Sequence, residues 1–201
     1  AMYFPQIANV RNPRLLQSMI GYLKQHPKVE FIEHCPIEQF NIVNGKVQSI
    51  RSQNQQTYFA DQFVITTGAW SKHWSEQLDL DIPVQPVQGQ MVLFKTPQNW
   101  LPTMCMNKVM YLIPRLDGHV VCGSSMANCG FDTTPTAATK QTILEACFEM
   151  VPELAAFPIV KQWAGLRPSS PTGVPYIGKM PELDNLWANF GHFRNGLCMG
   201  P

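Results

Sequence analysis

Trp163-Ala164-Gly165-Leu166-Arg167-Pro168-Ser169-Ser170-Pro171-Thr172-Gly173-Val174-Pro175-Tyr176-Ile177-Gly178 is the stretch on which the reading of this chain turns, and Gly191-His192-Phe193-Arg194-Asn195-Gly196 echoes it. Each segment sets one arginine among glycines, prolines and aromatics, with no acidic residue within several positions. A guanidinium is permanently charged and presents a rigid fork that matches a carboxylate or phosphate. Without a local carboxylate it needs another anion. Gly165 and Gly196 beside the arginines allow backbone to approach a flat ligand closely. An arginine is nevertheless most often a surface residue, so the pattern alone does not establish a site.

Outward from Arg167, Val160 to Pro168 reads as a strand with the arginine at its end, and Val84 to Lys95 as a long strand with Gly89 at a bulge or close approach. Met110 to Arg115 and His119 to Gly123 form a hairpin across Asp117-Gly118, with Ser124-Ser125-Met126 at its exit. Thr134-Pro135 is read as the start of a helix carrying Ile143, Leu144, Cys147, Phe148 and Val151 on one stripe. Nearer the start, Asn12-Pro13 reads as an N-cap and first helical residue of an amphipathic packing helix over 12–25. Val29 to His34 alternates like a strand. Ile37 to Val43 meets Lys46 to Arg51 across Asn44-Gly45, a strong hairpin signal. Phe63 to Thr67 is a buried strand leading into Gly68-Ala69-Trp70-Ser71 and a helix-like segment over 71–78. Thr67 and Gly68 there read equally as a packing turn or as a turn beside a nucleotide.

The chain has 201 residues, 45% of them hydrophobic, which is ample for a core. A formal charge of +1 gives no electrostatic case for nucleic acid. No apolar run approaches a membrane span, and no signal peptide is evident. Six cysteines, without a Cys-x-x-Cys pair or matching histidine spacing, argue against zinc and read as reduced thiols of a cytoplasmic protein. Ala1 ahead of Met2 reads as a vector remnant. No Gly-x-Gly-x-x-Gly motif occurs, so nothing here matches the turn that seats a dinucleotide pyrophosphate.

The two arginine segments, in this order, resemble the substrate-side signatures of the flavin-dependent amine oxidoreductases of the D-amino acid oxidase type, and within them the glycine oxidase branch linked to thiamine synthesis. The likeness runs over nearly the whole chain. It implies FAD as cofactor and a small amino-acid substrate. It also implies that the chain is an internal piece of a longer enzyme, with an upstream dinucleotide motif and a last helix beyond Pro201. By the same resemblance Arg167 grips the substrate carboxylate, Tyr111 supports it, Arg194 is the second arginine of the site, and Met126 lines the pocket beside the substrate. Gly165, Leu166, Asn195, Gly196 and Leu197 match backbone along the isoalloxazine ring, and Thr67 and Gly68 match the adenosine side. Read without the resemblance, Tyr111 is equally a strand-face aromatic and Met126 a core residue, and His192 is a turn residue left out of the catalytic set. Leu197-Cys198-Met199-Gly200-Pro201 departs from the family pattern, so Cys198 or Gly200 loosens the flavin-facing turn.

Oxidising an amino acid at its α-carbon with a flavin as hydride acceptor asks the protein mainly to hold the carboxylate and aim the α-hydrogen. The absence of paired carboxylates or a Ser/His/Asp set fits that demand. The expected fold is α+β: a substrate-binding domain over 83–165 with a large, mostly antiparallel sheet, between a partial α/β FAD-binding domain over 1–82 and its truncated return over 166–201. The expected activity is oxidation of glycine, sarcosine or a small D-amino acid to an imine and then a 2-oxo acid. Two alternatives stand beside it. One is a flavin domain acting on the carboxymethylaminomethyl group of a tRNA uridine, against which the missing basic surface argues. The other is a non-catalytic fragment forming homo-oligomers through strand edges.

Overall fold

The computed structural model describes residues 2–6 and 8–199, so the expectations on Ala1 and Gly200 lie outside it. The first helix, α1 (Asn12–Leu23), has Arg11 rather than Asn12 at its N-cap position, with no side-chain cap and proline in its first turn. Asn12 is already helical. The expected packing role also needs correction, because α1 buries none of its residues and Leu16 is 58% exposed. Periodicity identifies an apolar stripe but not what covers it. Val29 to His34 forms no strand, because no neighbouring strand pairs with it. β1 (Ile37–Val43) and β2 (Lys46–Ser52) pair antiparallel across Asn44-Gly45, both at positive φ as a tight hairpin turn requires. β3 (Thr57–Tyr58) completes that sheet.

β4 (Phe63–Ile65) ends two residues earlier than expected and runs into a 3-10 turn, Gly68–Trp74, with α2 (Ser75–Leu78) following. The central sheet comes next. β5 (Gln85–Lys95), β6 (Cys105–Met106), β7 (Tyr111–Arg115), β8 (His119–Gly123) and β9 (Ile159–Ser169) assemble antiparallel in the order β6-β7-β8-β5-β9. Asp117-Gly118 turns the β7–β8 hairpin, with Gly118 at φ 74. Gly89 is not at a bulge, since the register shift of β5 against β9 falls between Leu93 and Phe94. Between β8 and β9 lies α3 (Ala137–Met150). Its cap is Thr136, whose side chain accepts from the Thr139 amide, two residues beyond the expected start. Alternate residues of the strands, Val92, Phe94, Leu112, Val120 and Cys122, close one core against Ile143 and Cys147 of α3.

β10 (Tyr176–Lys179) and β11 (Leu186–Phe190) pair antiparallel, and β11 runs parallel to β4. A second core joins the early and late parts of the chain through Val47, Phe63, Ile65 and Trp74 packed with Leu183, Leu186 and Phe190. Buried Asn185 fastens the two: its side chain accepts from the Val47 amide at 2.9 Å and donates to the Val47 carbonyl at 2.9 Å. A short α4 (Gly196–Met199) ends the described chain. The fold is thus α+β, with one large antiparallel sheet and a parallel strand pair beside it.

Candidate active site on the open face of the central sheet

The face of the central sheet opposite α3 is set by register. β5 aligns Val87 with Arg167, Gly89 with Gly165 and Met91 with Trp163, and Met91 aligns through Gly123 with Tyr111. Side chains of a strand alternate between faces, so these residues share one surface. Arg167 leans along β5, and its guanidinium lies where a Cβ at Gly89 would be. Met91 Sδ likewise occupies the space a Cβ at Gly123 would fill. Two glycines therefore lower the sheet surface where two long side chains cross it.

Arg167 is half-buried and is held from behind. Its Nη1 donates to the Ser125 carbonyl at 3.2 Å and its Nη2 to Ser124 Oγ at 2.6 Å. A guanidinium has five N–H groups, so donors remain for a ligand. Among the described residues neither Arg167 nor Arg194 pairs with a carboxylate. Burial lowers the Arg167 pKa from its ordinary value, the Tyr111 phenol opposing this and Arg194 adding to it. The guanidinium stays charged in a partly desolvated place, where an incoming anion is held more strongly than in water. The Tyr111 hydroxyl donates to Met91 Sδ at 3.5 Å.

The second arginine segment reaches this face through β9. The Phe193 amide donates to the Pro168 carbonyl at 2.8 Å, and His192 bridges to Ser169. Gly191, at φ 78, and Phe193, at φ 48, turn the chain there. Arg194, Asn195 and Leu197 are exposed, and Gly196 packs against His192. His192 Nε2 and Asn189 Oδ1 are 2.6 Å apart, while its buried Nδ1 has no partner. That environment makes it a positioning element of the turn.

Thr67 and Gly68 follow the carboxyl end of β4, beside the carboxyl end of its parallel neighbour β11. Ligands of α/β sheets bind outside such strand ends. Gly68, at φ 56, starts the 3-10 turn, which packs on β5, β9 and β11. Thr67 Oγ1 and Ser71 Oγ are 3.1 Å apart, and Ser71 Oγ donates to the Gly68 carbonyl at 2.8 Å. These bonds account for a stable turn by themselves. Leu166 alternates onto the face away from Arg167, so only its backbone lies along the edge strand. Gly165 is open, with no atom within 4 Å of a Cβ placed there. Met126 is 61% exposed and so is not a core residue.

Sequence reasoning missed Met91, Ser124 and Ser125 as neighbours of Arg167 and Tyr111. It also missed buried Gln88 and Gln90, on the opposite face. Gln90 Nε2 donates to Gln88 Oε1 at 2.9 Å, Gln88 Nε2 to the Asp132 carbonyl at 2.8 Å, and the Thr136 amide to Gln90 Oε1 at 3.0 Å. These amides fix the segment from Ser125 to the cap of α3. A signal existed: two glutamines two apart in an otherwise apolar strand need buried partners. Among the described residues no cluster of His, Cys, Asp or Glu could hold a metal ion, and no helix is long and apolar enough to cross a membrane.

The chain is similar to known proteins over its whole length. The chain is 44% identical over 201 residues to a glycine oxidase of Pseudomonas putida, covering 100% of this chain and 55% of that protein. It is 41% identical over 201 residues to a glycine oxidase of Pseudomonas aeruginosa, with the same coverage of 100% and 55%. The crystal structure of glycine oxidase from Bacillus cereus superposes with a TM-score of 0.81 at 28% identity, over 87% of this chain and 48% of that one. The chain thus spans about half the length of the curated relatives it matches. The family described as FAD dependent oxidoreductase matches residues 1–201, and the chain belongs to that family.

Proposed function

We propose that this chain supplies the substrate-holding surface and the flavin-facing turns of an FAD-dependent oxidoreductase acting on glycine, sarcosine or a small D-amino acid. One observation carries the reading: a half-buried Arg167, cradled over Gly89 and braced by Ser124 and Ser125, has no carboxylate partner among the described residues. Its remaining donors suit a substrate carboxylate, and Tyr111 on the same face suits a second hydrogen bond to that group. Open Gly165 and the turn from Gly191 to Leu197 present backbone rather than bulky side chains, which fits a flat ring. Thr67 and Gly68, at the parallel strand ends, fit the adenosine side.

FAD, when bound, supplies the two-electron acceptor. The residues of this chain then act by binding and orientation. Arg167 and Tyr111 fix the carboxylate, and with it the direction of the α-hydrogen. Met91, on the face of Arg167, and Met126, two residues after the Ser124 that braces it, border the space for a small side chain. Arg194 adds positive potential at the mouth. No described side chain needs to serve as a strong base, provided that the substrate amine is neutral. The oxidised product is the imine, which water converts to a 2-oxo acid and ammonia or amine.

Arg167→Ala, in the protein encoded by the complete reading frame, is expected to raise KM for glycine about a hundredfold or more while FAD absorbance is retained. Unchanged steady-state kinetics in that variant would remove the assignment.

A further inference from the structure

The open face of the central sheet has a second end, and it is lined by cations. β7, β8 and β9 carry Arg115, His119 and Lys161 onto the same face as Tyr111 and Trp163, because each lies an even number of residues from that row. α1 lies across this end with Arg11 and Arg14. Together they line an open cavity of about 510 Å3, with Trp163 on its wall. A neighbouring cavity of about 630 Å3 shares Arg11, Arg14 and Arg115, so the three guanidiniums line both.

We propose that this cavity is an anion site built for a phosphate group, separate from the one at Arg167. Four permanent cations line it, and the nearby carboxylate is Asp117. Asp117 is already engaged, by Arg11 at 2.6 Å and by His119 at 2.9 Å. Arg14, Arg115 and Lys161 therefore lack a carboxylate partner among the described residues. The chain as a whole carries a formal +1, so this concentration is local. Burial and then the neighbouring Arg11 lower the Arg115 pKa, and Asp117 offsets this only in part. The first turn of α1 carries no acidic residue and no side-chain cap, so the positive end of its dipole is not offset there.

Forked donors from several directions match a tetrahedral oxyanion better than a planar carboxylate. The site is also too far from Arg167 to share one small substrate. Lys161 and Arg167 are six positions apart on β9, on the order of 20 Å of extended strand.

Isothermal titration of the protein at fixed ionic strength tests this with inorganic phosphate, phenyl phosphate and acetate. The expected result is saturable one-site phosphate binding, weakened roughly tenfold by Arg115→Gln and by Lys161→Gln through loss of a charge-assisted hydrogen bond, and unchanged by Arg167→Gln. Exposed Arg14→Gln serves as a further variant that leaves the fold intact. Tighter binding of phenyl phosphate assigns the site to an esterified phosphate resting on Trp163. Equal affinity assigns it to the free ion. The proposal is overturned if no saturable heat appears, if the three cavity variants bind phosphate as the parent does, or if acetate binds the Arg167→Gln protein as tightly as phosphate does. Because Arg167→Gln is the internal control, loss of this site and loss of the oxidoreductase reading are distinguishable.

Discussion

Leu112, Cys122 and Val92 on one face of the central sheet, and Tyr111, Gly123 and Met91 on the other, are neighbours in sequence and opposites in environment. The first three are fully buried against α3. The second three face a surface with two glycines, an unpaired arginine and a methionine braced by a phenol. A strand's period of two lets one segment carry both jobs without interference. It follows that stability and ligand handling should separate cleanly by residue parity.

The largest expected effect comes from the closed face. Leu112→Ala leaves a cavity among Val92, Phe94 and Ile143 and should cost about 2–5 kcal/mol, read as a lowered denaturation midpoint. On the proposed function, KM for glycine in the folded fraction of the protein encoded by the complete reading frame should stay within about twofold. A large rise in KM would show that the two faces are coupled.

Gly89→Ala is the converse experiment on the open face. The added Cβ overlaps the guanidinium of Arg167, which is the movable end of a flexible side chain rather than backbone. The arginine should swing away at little cost to stability, within about 1 kcal/mol. Displacing it from Ser124 and Ser125 should raise KM by on the order of tenfold to a hundredfold. Equal losses of stability and affinity would mean that the glycine serves packing alone. Tyr111→Phe is milder. It removes a hydroxyl that donates to Met91 Sδ at 3.5 Å, and a loss of about threefold to tenfold in kcat/KM with an unchanged melting temperature is expected. No kinetic change would return Tyr111 to the role of a strand-face aromatic.

What could be read in advance followed the range of the interactions. Asn44-Gly45 and Asp117-Gly118 encode their turns locally, and both hairpins stand where the sequence puts them. The arginine at the end of β9 was legible because no acid lies near it in sequence, and none pairs with it in space. The cradle at Gly89 was not legible. It depends on the register that sets Gly89 opposite Gly165 across about 75 residues of intervening chain, and no local pattern fixes that. Met91 was hidden for the same reason, since a methionine in an alternating strand reads equally as core. The 12–25 helix failed differently: its apolar stripe is real, but amphipathicity describes a face and not its neighbour.

The smallest expected effect concerns the bond that ties α1 to the sheet. Hydrogen bonds from His119 and then Arg11 lower the Asp117 carboxyl from its usual 3.8 to about 2. A carboxyl depressed in the folded state contributes stability that is present above 3.8 and lost as pH falls toward about 2. Asp117 is 42% exposed at its side chain, so solvent screening keeps the contribution small. The melting temperature of Asp117→Asn should therefore lie slightly below that of the parent near neutral pH, and the gap should close on acidification through this window. A gap that persists below pH 2 would place its origin in the shape of the β7–β8 turn rather than in the charge. A gap that closes at the expected pH would place its origin in the Asp117 charge, which His119 of β8 and Arg11 at the N-cap of α1 share. The same charge would then occupy those two groups and leave Arg115 and Lys161 facing the cavity.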